Sequence, residues 1–286
     1  MEEAGVAQGL DSSPAGRKFE ETNEMSLGDG TITLVTGYTG IVGRGIVNAL
    51  ISHTKTTVVA IVRSVTSATV ETESSRNGSP SRLLIVPGIE EDGTMLKLPE
   101  RIVGAIGDRK IDHVVSCFGG QAPRKLLSSM DDGDVLASAE RSLPHLRLLK
   151  AVLPLVDAEN PTSSYTFVTG MLGERCFMPD KLTGMTLSNS ILYGMIVAFR
   201  SELQAAGSAI NVRELRIGSM LHAPCNDKGG PVESGHPTMP TYTDLKSFSS
   251  ELVGRFLIDE IERGSEDHIV RLRDQEFREY SDERTV

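Results

Sequence analysis

The sequence predicts an α/β fold, a single domain built on a doubly wound parallel sheet with helices on both faces. From residue 31 onward, short β-branched runs alternate with amphipathic helical stretches, the rhythm of repeated βα units. The first of these runs passes straight into a glycine-spaced turn that opens a helix. The chain has 286 residues, 39% of them hydrophobic and 24% charged, which is enough for one sizeable core, and no internal repeat is visible.

The elements follow in order. Residues 31–36 form the first strand, and a helix with one apolar face follows over 41–52. A second β-branched run, TTVVAIV at 56–62, is the next strand and ends in Arg63 and Ser64. The polar stretch 71–80 is a loop, RLLIV at 82–86 a buried strand, and 93–106 a helical stretch. IDHVVSC at 111–117 is the fourth strand, ending in Phe118, Gly119 and Gly120. One long helix is expected over 134–156, where Leu143, Leu146, Leu149, Val152 and Leu153 follow helical spacing. YTFVT at 165–169 is the fifth strand, a helix covers 186–206, and INVRELRI at 210–217 is the sixth strand. Residues 222–242 are rich in Pro and Gly and too long for an ordinary connection, which marks a substrate lid. A helix over 249–263 begins at a Ser start signal, and HIVRL at 268–272 is a last short strand. Residues 1–30 are expected to form a disordered tail, 31–275 the folded domain and 276–286 a charged tail.

The balance of charge and cysteine narrows the function classes. A net charge of −10 disfavours nucleic acid or an anionic membrane as a partner. No run of apolar residues approaches the roughly 20 needed to span a bilayer. The first thirty residues lack the pattern of a secretory or transit signal. Three widely spaced cysteines, Cys117, Cys176 and Cys225, suggest a reducing, cytoplasmic setting and neither a disulfide frame nor a zinc site. His222 and Cys225 in the expected lid do not have the spacing of a metal pair.

Chemistry enters at the glycine turn, TGYTGIVGRG at 36–45. A turn of this kind places a nucleotide pyrophosphate on the N-terminus of a helix, where unpaired amides and the peptide dipoles favour negative charge. The first glycine permits the tight turn, the second lets backbone approach phosphate, and the third lets helix pack on strand. Gly37, Thr39, Gly40, Ile41, Val42, Gly43 and Arg44 are therefore the expected cradle. The strand that follows ends in Arg63, with Ser64 beside it. A cation there suits the 2′-phosphate of NADP, where an acid would repel it, so NADP(H) is the expected cofactor. Ordinary solvated arginines at positions 44 and 63 are the competing reading.

Over nearly all of residues 31–275 the chain resembles the short-chain dehydrogenase/reductase family, whose fold is Rossmann-like. Beyond the glycine turn, the likeness rests on VVSCFGG at 114–120, LLKAVLP at 148–154, FVTG at 167–170 and INVRELRIG at 210–218. The resemblance implies that Cys117, Phe118 and Gly119 border the cofactor, and that Ile217, Ser219 and Met220 face its nicotinamide carboxamide. It also implies a Ser–Tyr–Lys–Asn tetrad, and here the chain departs from the pattern. By spacing, the Ser slot falls at Gly170, the Tyr slot in residues 183–185, the Lys slot in 187–189 and the Asn slot at Arg141. None holds the expected residue. Tyr193 lies on the right helix, but Val197 stands where its lysine would be.

Replacements for the missing acid are therefore candidates. Arg141 could hold a carboxylate or a developing oxyanion, or form a helix-surface ion pair with Glu140 or Asp134. Glu174 could pair with Arg141 or steer a cationic substrate, and Thr169 and Ser116 could offer hydroxyls at strand ends. Tyr193 is the remaining proton source. The expected activity is an NADP(H)-dependent reduction of a polarised C=N, C=C or C=O bond in a small organic metabolite. A cofactor-binding sensor or structural subunit without turnover, or a lyase or isomerase reusing the pocket, stand as alternatives. The helices near 134–156 and 186–206 are those through which such proteins pair, which implies a homodimer or homotetramer.

Overall fold

A strand covered on both faces must be apolar or have its polar groups bonded, and β1 (Ile32–Thr36) has no exposed residue, its Thr33 and Thr36 hydroxyls being hydrogen-bonded. The computed structural model of the chain describes residues 27–63, 82–90, 94–120, 122–176, 178–222, 247–264, 268–273 and 275. After β1 come α1 (Ile41–His53), β2 (Thr57–Val62), β3 (Leu83–Pro87), α2 (Leu98–Ile106) and β4 (His113–Ser116). Then follow α3 (Asp132–Glu140), α4 (Leu143–Val152), β5 (Ser164–Gly170), α5 (Pro179–Ala205) and β6 (Asn211–Ile217). The short strands β7 (Met220–His222) and β8 (Ser247–Ser249), α6 (Ser250–Glu262) and β9 (Ile269–Leu272) complete the described order.

Seven of the strands form one parallel sheet in the order β3-β2-β1-β4-β5-β6-β9, and β7 pairs in parallel with β8 apart from it. The doubly wound architecture expected from the sequence is present. One core lies between the sheet and α2, α4 and α5, with Tyr165, Phe167 and Phe199 at its centre. The other lies between the sheet and α1 and α6. Those two helices approach so closely that a Cβ at Gly45 would stand 2.3 Å from the Ser250 carbonyl oxygen.

Several boundaries differ from the sequence reading. The single helix expected over 134–156 is two helices, α3 and α4, separated at Arg141 and Ser142. Pro144 has no N–H to continue the ladder, and the Ser142 hydroxyl donates to the Ser188 carbonyl at 2.9 Å, fixing the break against α5. Asp131 opens α3 with a capping box shared with Asp134. The helix expected over 186–206 starts earlier, at Pro179, where proline suits the first turn. Leu27, expected in the N-terminal tail, is fully buried in the core beside α1 and α6. Residues 1–26, the loop at 71–80, most of the expected lid including Cys225, and 276–286 lie outside the described residues.

Among the described residues, α5 alone is long and apolar enough to cross a bilayer, with a mean hydropathy of 1.4 over its best window. No such stretch was expected from the sequence. Its length, about 40 Å, serves to cover the sheet, and Leu192, Ile196 and Phe199 are buried in the core.

Candidate functional site

Strands β1 and β4 are neighbours although β2 and β3 lie between them in the chain. Their crossovers leave in opposite directions, which opens a crevice at the carboxyl ends of the two strands. The glycine turn lies there. Gly37 has φ +73°, and a Cβ at this position would stand 1.9 Å from the Cys117 carbonyl oxygen. Only glycine allows the segment after β4 to close on the turn in this way. At Gly43 a Cβ would meet the Gly37 carbonyl oxygen at 2.2 Å, the close packing of helix on strand that the third glycine serves. Gly40 is different, because its nearest neighbour, the Gly37 oxygen, is 3.3 Å away and its other side is open.

The turn is closed by the Gly40 N–H donating to the Gly37 carbonyl at 2.8 Å. Gly40 is also the N-cap of α1, where no side chain caps the helix and no acid stands in the first turn. The amides of Ile41 and Val42 at this helix start therefore face no competing side-chain acceptor. Thr36 Oγ1 accepts from the Cys117 N–H at 2.8 Å and ties the two strand ends together. Thr39 is exposed on the turn. Among the described residues, this turn has the features a dinucleotide pyrophosphate needs: open space, unclaimed amides and no negative charge.

The other expected cofactor residues gather at the same edge of the sheet. Arg44 is half-buried and Arg63 exposed, and neither side chain has an ion-pair or hydrogen-bond partner among the described residues. Ser64 lies outside the described residues. Burial pushes the Cys117 thiol up to about 12, which makes it a small inert group. Phe118 is half-buried and Gly119 exposed beyond the end of β4. Ile217 is the last residue of β6, Ser219 follows it, and Met220 begins β7, paired with Ser247.

Three candidate catalytic residues are engaged in one polar network between β5, β6, β9 and α5. Thr169 Oγ1 donates to Glu214 Oε1 at 2.8 Å, and Arg216 donates to Glu214 Oε2 at 2.7 Å. Glu174, expected to pair with Arg141, accepts instead from Arg216 and from Arg271, the latter at 2.8 Å. Burial opposes ionisation of Glu174, but hydrogen bonds from the two arginines prevail and hold it below the usual carboxylate range. Burial likewise opposes the charge on Arg216, yet its bonds to Glu214 and Glu174 raise its pKa above the ordinary value.

Tyr193 is part of this network too. The Arg216 guanidinium lies 3.7 Å from its ring centroid, and its hydroxyl donates to the Gly170 carbonyl at 2.5 Å. Burial pushes the phenol up to about 12, with Glu214 and Glu174 adding to the rise and Arg216 opposing it. A tied phenol of that basicity is a poor proton donor near neutral pH. The sequence reading passed over Arg216, Glu214 and Arg271. The signal was available: Glu214 and Arg216 share one face of a strand expected to be buried, and buried charges come in pairs.

Arg141 stands apart. It occupies the break between α3 and α4, half-buried, with Nε shielded from solvent and unbonded among the described residues. The expected ion pair with Glu140 or Asp134 does not form, and Asp134 is instead bonded to Lys125 and the Asp131 amide. A Cβ on Gly120 would stand 3.5 Å from Arg141 Nε, so the guanidinium lies against the segment leaving β4. Ser116, expected to offer a free hydroxyl, is bonded to His145 Nδ1 at 2.7 Å. Burial, with the Arg141 charge adding to it, lowers His145 to about 3, against a weaker opposing bond to the Phe118 backbone. At the expected Ser slot, Gly170 donates its N–H to Asn189 Oδ1 at 3.3 Å. Among the described residues no group of three metal-ligating side chains occurs.

No family model and no curated protein matches the sequence. Solved structures do match the fold. A short-chain dehydrogenase from Streptomyces avermitilis superposes with a TM-score of 0.64 at 15% identity, covering 88% of this chain and 91% of that one. A blue fluorescent protein from a metagenomic library, in complex with NADPH, gives 0.62 at 15% identity over 85% and 96% of the two chains. An alcohol dehydrogenase from the archaeon Thermococcus sibiricus, complexed with 5-hydroxy-NADP, gives 0.61 at 15% identity over 85% and 94%. At such identities the likeness establishes the Rossmann-like α/β fold.

Proposed function

We propose that the chain is an NADP(H)-dependent oxidoreductase that reduces a polarised C=N, C=C or C=O bond of a small organic molecule without a Tyr–Lys proton donor. The observation that carries this reading is the glycine turn at the switch point of the sheet, open at Gly40 and free of competing acids. The bound NADPH and 5-hydroxy-NADP of two structural neighbours support the same cofactor. A reduced nicotinamide, when bound, supplies hydride. The chain's own part is to hold and orient. Amides at the start of α1 take the pyrophosphate, and Arg44 and Arg63, unpaired in the described structure, suit the 2′-phosphate.

The engagement of Tyr193, Thr169 and Glu174 in ion pairs and hydrogen bonds favours acceptors that are already activated, such as iminium ions or polarised enones. Orientation and fixed charge then supply most of the acceleration. The same engagement favours a second reading, a cofactor-binding sensor without turnover. Exposed Val135, Leu136, Ile191 and Val197 on α3 and α5 support pairing of two copies through these helices. The cysteine pattern supports a cytoplasmic setting.

Incubation with NADPH and a panel of cyclic imines, enones and ketones, followed by nicotinamide absorbance, separates the two readings. Oxidation that requires both protein and acceptor is expected. Tight binding with no turnover across the panel would favour the sensor. NADPH should bind at least about tenfold more tightly than NADH, and Arg63→Ala should erase most of that preference. Equal affinity for the two cofactors would remove the assigned role of Arg63.

A further inference from the structure

We propose that Arg141 anchors a carboxylate on the acceptor, so that the molecules this site takes carry a carboxylate beside their reducible bond. The inference rests on the oxidoreductase reading for what happens after binding, but carboxylate capture itself does not require that reading.

A guanidinium withdrawn from water needs negative charge or several acceptors close by. Other arginines here with a buried Nε have such company. Arg216 and Arg255 pair with acids, Arg200 donates to backbone carbonyls, and Arg213, itself unbonded at Nε and Nη1, lies in the field of Glu260. Arg141 is half-buried with its Nε out of water, yet it has no ion pair or hydrogen bond among the described residues, and burial alone accounts for its lowered pKa. Its nearest neighbours in sequence that carry acid, Glu140 and Asp134, do not turn toward it.

Its place at the sheet edge indicates where the missing anion comes from. Gly37 touches the Cys117 carbonyl, and Gly120 lies beside Arg141. Three residues of chain span at most about 11 Å, so the guanidinium stands within one dinucleotide length of the cradle. It lies at the end of the segment leaving β4, whereas the amides suited to pyrophosphate belong to α1 on the far side of β1. Phe118, packed edge-on against the His145 ring at 5.1 Å, adds an apolar wall to the same corner. His145 stays neutral there and adds no charge of its own, and a carboxylate with its two in-plane oxygens matches the guanidinium fork of Arg141.

The full-length protein, with and without saturating NADPH, is titrated with formate, acetate and benzoate and with the matching formamide, acetamide and benzamide. Chloride and ionic strength are held constant, and the melting temperature is followed. The acids should raise it and the amides should not. Arg141→Gln should weaken benzoate by about tenfold or more while leaving the NADPH Kd within about threefold, and Arg141→Lys should recover part of the loss. Equal effects of acids and amides, or unchanged benzoate binding in Arg141→Gln, would overturn the proposal. So would a loss of about tenfold in NADPH affinity, which would assign the guanidinium to a cofactor phosphate. Should NADPH fail to bind the wild-type chain, the oxidoreductase reading falls, and the titration without NADPH decides the anchor by itself.

Discussion

Two arginines stand near the carboxyl edge of one sheet, and their surroundings differ completely. Arg216 is held by Glu214 and Glu174 and lies over the Tyr193 ring. Arg141 is half-buried, with its Nε out of water, and has no ion pair or hydrogen bond among the described residues. The contrast separates two uses of a buried cation. Where the protein supplies the counter-charge, the arginine locks elements together, here β5, β6 and α5. Where it does not, the charge is held ready for something that arrives from outside. Three candidate catalytic residues, Thr169, Glu174 and Tyr193, fall on the locked side.

The comparison can be broken at several points, and the largest effect is expected at His145. The folded state keeps His145 neutral down to about pH 3, while the unfolded chain takes up a proton near its ordinary 6.5. Stability is therefore complete above pH 6.5 and falls as pH drops toward 3, by up to about 5 kcal/mol. Urea unfolding at a series of pH values should show this slope in the wild type and not in His145→Gln. Arg141→Met should soften it, because the Arg141 charge contributes to the lowered pKa. An unchanged slope in His145→Gln would show that another group carries the acid sensitivity.

Methionine at each arginine gives the next effect. Arg216→Met leaves the Glu214 charge buried without its cation, bonded to the Thr169 hydroxyl, and should cost about 3–5 kcal/mol of unfolding free energy. The same change at Arg141 removes a charge without a partner and should cost less than about 1 kcal/mol. Comparable losses at the two positions would mean that Arg141 is structural. A smaller effect than that at Arg216 belongs to Tyr193→Phe, which gives up one hydrogen bond to the Gly170 carbonyl, about 1 kcal/mol. Turnover with an iminium acceptor should stay within about threefold of wild type. A collapse of turnover at unchanged NADPH affinity would return Tyr193 to the role of proton donor.

Much of this was legible in the chain. The alternation of apolar runs with helical stretches fixes a parallel α/β sheet, because strands buried on both faces and helices with one apolar stripe can be satisfied in few other ways. The glycine spacing located the cradle for an equally local reason: φ +73° at Gly37 and the contact of Gly43 with the preceding strand are demands on single residues. The break at Arg141 was less visible, since helical spacing runs through 134–156 and only Pro144 and the Ser142–Ser188 bond interrupt it.

What the sequence by itself determined is therefore the architecture and the glycine turn at a strand end. Only the tertiary structure decided which charges meet. Glu174 lies far from Arg271 along the chain and 2.8 Å from it in space, and nothing local distinguishes that partner from Arg141. Local conformation depends on neighbours a few residues away, and so it can be read along the chain. The neutralisation of a buried charge depends on which strands adjoin, and adjacency exists only after folding.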